Sequence, residues 1–352
     1  MQFGIRDDDK LIVDTLSVFA AEQLRPNLRK AEAARTPSSE VRVRSAELGF
    51  EALDVPSASG GAGLGMLTRV LANIALAKAD AGAALALDRI GPSVYVLDAF
   101  GGAETISQIL DPVLRDAEAR VVLVVEPEDR KLSAGDRVTG TVTWTPSDHA
   151  DLIVGLGPTS AWVMRGETSA EPVRSIGLHA AGASTLRFSG TVAAAWSNRA
   201  AAELALAKTR LYYASLLVGV LYDSSEFSRK YAMERVAFGQ PVAHHQGMAF
   251  MIVDMFTAVE QARLLIEDAA RRIEAGLDAR QHAAAAFVEA VDASRFVGPN
   301  GVQILGGHGF MRDFPMEKAM RESRALGLMA GGVERARDDA ANLAASEEFG
   351  GI

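Results

Sequence analysis

The sequence predicts a mainly helical protein with a small β domain in its middle. Apolar residues recur at three- and four-residue spacing over residues 8–110, and again from Arg199 nearly to the end. Over residues 119–196 the pattern changes to short β-branched runs separated by Gly, Pro, Asp and Ser. The chain has 352 residues, 49% of them apolar, which is enough for two or three packed units. The expected domains are residues 1–117, 118–197 and 198–352.

In the N-terminal domain, the segment Pro56–Gly65 is rich in glycine and serine and interrupts the helical pattern. It could be a phosphate-cradling loop, but no strand pattern precedes it and its glycines do not match the dinucleotide fingerprint. A structural turn between helices is therefore favoured.

The β-branched runs of the middle domain predict four strands, at Val121–Val125, Val138–Trp144, Leu152–Val154 and Thr185–Phe188.

The C-terminal domain is predicted to be an antiparallel helix bundle. One helix is marked by Leu204, Leu211, Leu217, Val218 and Leu221. The next is marked by Phe250, Met251, Met255, Val259, Leu264 and Leu265. Gly276 is its expected C-terminal stop.

Composition excludes several functional classes. The formal charge is −9 with no Lys/Arg block, which argues against a nucleic-acid surface. There is no cysteine, so a disulfide framework and a thiolate site are excluded. His244, His245 and His282 have no companion at a metal-ligand spacing, so no metal is predicted. The first thirty residues contain no long apolar run, which predicts no signal peptide and no membrane insertion, and hence a cytoplasmic location.

Three motifs lie in the C-terminal domain. The first, Lys230–Gln240, places Arg235 near a helix end before a glycine turn, where a helix-terminal cation is the ordinary interpretation. The second, Gln303–Phe310, contains paired glycines whose backbone N–H groups can approach an anion, although a tight turn is the ordinary interpretation.

The third motif predicts a helix that is opened by Pro315 and closed by Gly331 and Gly332.

In their order and spacing, these motifs resemble the acyl-CoA dehydrogenase family. The resemblance extends over the whole chain, through Leu48–Gly65 in the N-terminal domain and Val125-Glu126-Pro127 at the start of the middle domain. It implies a helical N-terminal domain, a β-barrel-like middle domain and a C-terminal four-helix bundle, in a dimer or tetramer with FAD across a subunit interface.

In such a fold a glutamate removes the α-proton of an acyl-CoA thioester while the β-hydrogen leaves as hydride to FAD. An electron-transferring flavoprotein usually accepts the electrons. The resemblance implies that six residues reach the neighbouring subunit's FAD: Arg235, Phe238, Gln246, Gln303, Gly306 and Gly307. It also makes Arg210 a candidate for substrate binding.

The catalytic glutamate is missing. The family's Tyr-Glu-Gly-Thr is here Met329-Ala330-Gly331-Gly332, and Ala330 cannot accept a proton. The alternative position, on the long helix, is Thr209. Glu334 lies one helical turn beyond Ala330 and is a weak substitute, because an exposed glutamate in the first turn of a helix is the ordinary interpretation.

The elements that hold a subunit's own flavin are also altered. Glu126-Pro127 is followed by Glu128–Lys131 instead of the family's Gly-Ser-Asp loop, and Pro146 lies where a backbone donor is wanted.

These departures lead to three hypotheses. The first is a subunit that completes the FAD site of a different, catalytic chain, in an α2β2 or homotetrameric assembly like the heteromeric actinobacterial type. That type acts in fatty acid or steroid degradation, so a steroid-CoA would be the first substrate to test. The second is a self-sufficient flavoenzyme with a relocated base or a different flavin chemistry. The third is a flavin-free scaffold or binding protein.

Overall fold

The computed structural model describes residues 4–116 and 118–349. Five helices come first: α1 Asp7–Phe19, α2 Leu28–Ala34, α3 Ser39–Glu47, α4 Met66–Leu87 and α5 Ser93–Arg115. Five strands follow: β1 Val121–Val125, β2 Arg137–Thr145, β3 Leu152–Leu156, β4 Ser160–Pro172 and β5 Ser184–Ser197. The remaining elements are α6 Arg199–Glu234, β6 Val236–Ala237, β7 Gln240–Pro241, α7 Gln246–Glu274, α8 Arg280–Leu305, α9 Met316–Leu326 and α10 Val333–Phe349. The predicted order of helices, sheet and helices is confirmed.

The chain divides into two compact units. The first, called the helical unit, comprises the chain up to Arg25, Val70–Ala81 and the chain from Tyr213 onward. The second, called the sheet unit, comprises Pro26–Arg69 and Gly82–Tyr212. The division into three domains drawn from the sequence stays a prediction.

The sheet unit contains a five-stranded sheet in the order β1-β3-β4-β5-β2. β1 runs parallel to β3 and the other pairs are antiparallel. All four predicted strands are present, but β4 was missed. Its only apolar run, residues 161–164, is short, and the strand continues through polar residues that are mostly exposed and do not alternate regularly, so the sequence pattern was weak.

The Pro56–Gly65 segment lies between α3 and α4 and contains a short 3-10 turn at Ser57–Ser59. Gly60 follows it with φ +84°, a conformation that glycine adopts readily. The structural-turn interpretation is therefore confirmed.

Both long helices marked by apolar periodicity are present as α6 and α7, and Gly276 follows the end of α7 with φ +68°. Three of the residues that mark α7 do not pack into the core. Phe250, Leu264 and Leu265 are 59%, 41% and 43% exposed. Helical periodicity locates apolar faces, but it does not say whether the same chain covers them.

The helix after Pro315 begins as predicted, with Pro315 as the N-cap of α9. It ends earlier than predicted, at Leu326, so Gly331 and Gly332 do not close it. Instead Ala330, Gly331 and Gly332 all have positive φ, at 54°, 85° and 83°, immediately before α10. Successive left-handed residues cannot continue a right-handed helix, so these three residues form a separate link between α9 and α10.

Two helices are long and apolar enough to cross a membrane by length and composition alone. These are Met66–Leu87 and Arg199–Glu234, and 94% and 89% of their most apolar windows are buried inside the protein. Burial of this extent is typical of the core helices of a folded protein.

Candidate functional site

The helical unit contains a concavity of about 560 Å³, formed by the end of α6, the hairpin β6–β7, the start of α7 and the end of α8. Its lining residues are Tyr231, Arg235, Ala237, Phe238, Val242, His245, Met248 and residues 303–308.

Five of the six residues that the resemblance assigned to FAD contact line this concavity: Arg235, Phe238, Gln303, Gly306 and Gly307. The sixth, Gln246, is the exposed first residue of α7, next to the lining residue His245.

The hairpin that borders the concavity is short and turns through two left-handed residues. Ala237 pairs with Gln240, and the loop between them consists of Phe238 with φ 53° and Gly239 with φ 83°. Positive φ at both loop residues is typical of a type I′ turn, whose twist matches that of paired strands. The turn projects Phe238 outward, leaving it 98% exposed.

His245 connects this hairpin to α7. Its Nε2 lies 3.1 Å from the carbonyl oxygen of Ala237, and its Nδ1 lies 3.1 Å from the side-chain amide nitrogen of Gln240. Its ring meets the ring of Phe238 edge-on, with centroids 6.2 Å apart. His245 is also the N-cap of α7, so it restrains the hairpin from the start of that helix.

A second histidine lies on the α8 side. Nδ1 of His308 is 2.7 Å from the hydroxyl of Tyr231, and its ring stacks on Phe314 with centroids 4.9 Å apart. The Tyr231 ring meets both neighbouring rings edge-on. The aromatic packing and the hydrogen bond together restrict the orientation of the imidazole.

The concavity offers the groups that an anion needs. Arg235 supplies a guanidinium, which binds phosphate oxygens with fixed geometry, and Gln303 supplies an amide. A Cβ added to Gly306 or Gly307 would meet no described atom within 4 Å. Packing of the described residues therefore does not require a glycine at 307, and a side chain there would occupy open space. The donor set and this open space fit the diphosphate part of FAD.

The two positions at which the resemblance predicts a catalytic base, residues 330 and 209, hold no carboxylate. Ala330 is buried, with φ 54°. Thr209 is fully buried in α6, and its hydroxyl donates to the carbonyl oxygen of Ala205 at 2.7 Å. Arg210, the candidate for substrate binding, is buried next to it.

Glu334, the weak substitute, lies in the first turn of α10 with its side chain 74% exposed. Its carboxylate lies 3.7 Å from both Arg295 and Arg337. These contacts are those of a surface ion pair.

Glu126 follows β1 in the sheet unit, and its carboxylate is bound by its own chain. One oxygen accepts a hydrogen bond from Nε1 of Trp162 at 2.9 Å, and the other accepts one from Nε of Arg130 at 2.5 Å. The Arg130 guanidinium lies 5.6 Å from the centroid of the Trp162 ring.

Asp129 is bound in the same way. Its carboxylate accepts hydrogen bonds from Thr159 and Ser160 at 2.6–2.8 Å. Burial alone would raise the pKa of Asp129, but these hydrogen bonds favour the charged form and hold the pKa below its usual 3.8. Two of the residues that replace the family's Gly-Ser-Asp loop, Asp129 and Arg130, are therefore used in internal contacts.

The sequence interpretation missed eight lining residues: Tyr231, Ala237, Val242, His245, Met248, Ile304, Leu305 and His308. Two of them carried a signal. Tyr231 lies four residues before Arg235 and so on the same helix face, and His308 directly follows the paired glycines. His245 had been considered only as a metal ligand.

Among the residues that the structure describes, no group of three or more His, Asp or Glu side chains could hold a metal ion.

Comparison with known proteins identifies the family. The model of the acyl-CoA dehydrogenase N-terminal domain matches residues 6–117, and that of the acyl-CoA dehydrogenase C-terminal domain matches residues 199–344. Together they match more than half of the chain.

The chain is also similar to individual proteins. It is 23% identical to benzylmalonyl-CoA dehydrogenase of Aromatoleum aromaticum, over 95% of this chain and 96% of that protein. The solved butyryl-CoA dehydrogenase of Megasphaera elsdenii superposes with a TM-score of 0.82 at 20% identity, covering 97% of this chain and 99% of that one. A structure of PigA with FAD and proline has a TM-score of 0.85 at 18% identity, covering 98% and 99%. At these identities the two structures show a shared fold.

Proposed function

Because the chain belongs to the acyl-CoA dehydrogenase family, we propose that it is a subunit in the FAD-dependent α,β-dehydrogenation of an acyl-CoA thioester, in which it completes the FAD site of a different, catalytic chain. One observation carries this proposal. Arg235, Phe238 and Gln303 line one exposed concavity, while Ala330 and Thr209 occupy the positions of the base.

In this role the chain binds and shields the cofactor but does not remove the substrate proton. Bound FAD supplies the hydride acceptor. Arg235 neutralises diphosphate charge, Gln303 donates a hydrogen bond, and Phe238 covers the cofactor and excludes water. The carboxylate that removes the α-proton belongs to the partner. A positioned general base contributes roughly 10²–10⁴-fold in rate, so this chain alone would be a poor dehydrogenase.

The contacts of Glu126 and Asp129 support the division of roles. A flavin held by this chain's own sheet unit would require a loop with free donors after β1. Here Arg130, Trp162, Thr159 and Ser160 bind these carboxylates instead.

Exposed apolar side chains support a partner chain. Phe238, Phe250, Val253 and Phe310, all in the helical unit, are 98%, 59%, 60% and 74% exposed. Large apolar residues exposed to this extent are typical of a surface that another protein covers. We propose that a homologous catalytic chain covers them in an α2β2 assembly.

Co-expression with candidate homologous chains, followed by native mass spectrometry and visible spectroscopy, tests the proposal. The expected complex contains this chain and a partner, with half as many FAD molecules as chains. A homo-oligomer of this chain that binds FAD stoichiometrically would overturn it.

A pair of arginine variants near the end of α6 tests the concavity. Arg235→Met should lower the FAD content of the complex, because it removes the guanidinium. Arg229→Met is the control, since Arg229 is an exposed partner of Glu226 in α6 and lies outside the concavity. Equal FAD content in the two variants would contradict the assignment.

For the substrate, we propose a bulky acyl-CoA, with steroid-CoA thioesters tested first. A relative named for an aromatic CoA thioester supports this choice. An electron-transferring flavoprotein as the electron acceptor and a cytoplasmic location stay predictions of the same kind.

The second candidate is a self-sufficient flavoenzyme, with Glu334 as a relocated base or with different flavin chemistry. The neighbouring structure that holds FAD and proline favours it, since proline is not a CoA thioester. The purified chain would then be yellow and would bleach with a substrate. Loss of bleaching in Glu334→Gln would support Glu334 as the base. A colourless chain with neither a partner nor acyl-CoA binding would favour the scaffold hypothesis.

A further inference from the structure

We propose that His245 is a positioning residue, which holds the hairpin of residues 236–241 in the conformation that presents Phe238 at the concavity. The effect of this positioning on a bound dinucleotide rests on the proposed function. The role of His245 in holding the hairpin does not.

The hairpin needs such support because its own ladder is minimal. It contains two residue pairs, Val236 with Pro241 and Ala237 with Gln240. Just outside them, Val242 donates its backbone N–H to the carbonyl of Arg235 at 2.8 Å. A two-stranded hairpin is marginally stable in water even when it is longer than this.

The turn adds strain to this short ladder. Phe238 has φ 53°, where a residue with a Cβ is disfavoured, and a bulky side chain there is a marked outlier. Because its side chain is 98% exposed, burial within this chain does not compensate for the strain. The conformation must therefore be held by contacts of the backbone and the neighbouring side chains.

His245 supplies contacts to both strands. One ring nitrogen lies 3.1 Å from the backbone carbonyl of Ala237 in β6. The other lies 3.1 Å from the side-chain amide nitrogen of Gln240 in β7. The carbonyl of His245 accepts the backbone N–H groups of Met248 and Ala249, at 2.9 and 3.0 Å. The imidazole is therefore anchored on the first turn of a 29-residue helix, which makes it a rigid support for the hairpin.

The contact with Ala237 requires a proton on Nε2, because a carbonyl oxygen only accepts hydrogen bonds. Nε2 of His245 therefore donates to Ala237, while Nδ1 faces the side-chain amide of Gln240.

The first test follows Phe238 directly in the isolated chain. 4-Fluorophenylalanine is placed at position 238, and its ¹⁹F spectrum is compared in the parent chain, His245→Ala, His245→Gln and His244→Ala. His244 is the exposed neighbour and serves as the control. We expect His245→Ala to move the ¹⁹F resonance toward that of the free amino acid, and His244→Ala to leave it unchanged.

His245→Gln should restore much of the parent shift, because its amide can donate to Ala237. This variant keeps the test valid if His245→Ala does not fold, and far-ultraviolet circular dichroism checks folding. An unchanged ¹⁹F resonance in folded His245→Ala, or a resonance at the free-amino-acid position in folded His245→Gln, would overturn the proposal.

The second test measures protonation of the His245 ring at Nε2. In the ¹⁵N-histidine-labelled chain, the resonances of His245 should report a proton on Nε2. A ring without a proton on Nε2 would mean that the Ala237 contact is not a hydrogen bond, and would overturn the proposal.

A third measurement separates this proposal from the proposed function. Losing both ring hydrogen bonds should speed FAD release from the assembled complex by roughly tenfold. If His245→Ala changes the ¹⁹F spectrum but not FAD release, the positioning role stands and the FAD function of the concavity is wrong.

Discussion

Lys318 in α9 is fully buried, and its ammonium lies between the carboxylates of Asp80 and Glu322, 2.8 Å from the former. Burial alone would lower the pKa of Lys318, but the two carboxylates outweigh burial and raise it above its usual value. Asp80 has an extended backbone inside α4, with φ −163° and ψ 107°. The ammonium thus stabilises a break in that helix.

Lys318→Met should destabilise the protein by about 3–5 kcal/mol, because it leaves two carboxylates buried without their cation. The measurement is the shift of the urea unfolding midpoint. Lys230→Met, which removes an exposed lysine, should change stability by no more than about 0.5 kcal/mol. Similar shifts for the two variants would contradict this account of the buried cluster.

His149 and Asp148 form a pH-dependent contact in the loop after β2. Nδ1 of His149 lies 2.7 Å from the Asp148 carboxylate, which raises the pKa of His149 above 6.5 and lowers the pKa of Asp148 below 3.8. Nε2 lies 2.8 Å from the carbonyl of Glu118 and 3.6 Å from Asp151, and Arg120 opposes the charged imidazole.

The raised pKa of His149 stabilises the folded state fully below pH 6.5, and this contribution is lost as pH rises through the folded-state pKa. The lowered pKa of Asp148 contributes above pH 3.8 and is lost as pH falls through its folded-state value. His149→Gln should therefore be destabilising near pH 5 and nearly neutral near pH 8, in thermal unfolding at both pH values. A difference that grows toward pH 8 would exclude this pair as the cause.

At the scale of helices and strands, substitutions of two glycines at the ends of α7 are expected to have opposite effects on stability. Gly247 lies in the first turn without a positive φ, whereas Gly276 follows the helix with φ +68°. A Cβ at either position meets no described atom within 4 Å, so only the backbone distinguishes them.

Gly247→Ala should stabilise the protein by up to about 0.5–1 kcal/mol, because alanine loses less conformational entropy in a helix. Gly276→Ala should destabilise it by roughly 1–2 kcal/mol, because the left-handed conformation brings Cβ close to the backbone. Differential scanning calorimetry of both variants measures the signs. Equal signs would contradict the backbone explanation.

Gly155 in β3 makes room for the tryptophan that binds Glu126. A Cβ at this position would lie 2.0 Å from the Trp162 ring. Gly155→Ala should therefore displace the ring, weaken its hydrogen bond to Glu126 and destabilise the protein by about 1–3 kcal/mol. Tryptophan fluorescence during urea unfolding measures both effects, and an unchanged emission with parent-like stability would refute this packing role.

At the scale of the whole molecule, the exposed face of α7 is expected to mediate association. Val253 lies three residues after Phe250, so the two share a helix face, and both are more than half exposed. Val253→Glu should weaken oligomer or partner association at least about tenfold, because it places an unpaired charge in a buried interface.

Light scattering after size-exclusion chromatography measures the association. Val43→Glu is the control, because Val43 is 59% exposed on α3 in the sheet unit. Loss of association in both variants, or in neither, would contradict the assignment of this face.

The sequence by itself determined the order of helices, sheet and helices, the family, and the absence of a carboxylate at residue 330. These properties follow from local periodicity, turn residues and the identity of single residues such as Ala330. The tertiary structure decided two further points. It brought Arg235, Phe238, His245 and Gln303 to one concavity, although they belong to a helix end, a hairpin, a helix start and a second helix end. It also showed that Phe250 is exposed although it follows the same periodicity as core residues. Periodicity identifies the apolar face of a helix, but tertiary packing determines whether that face is buried.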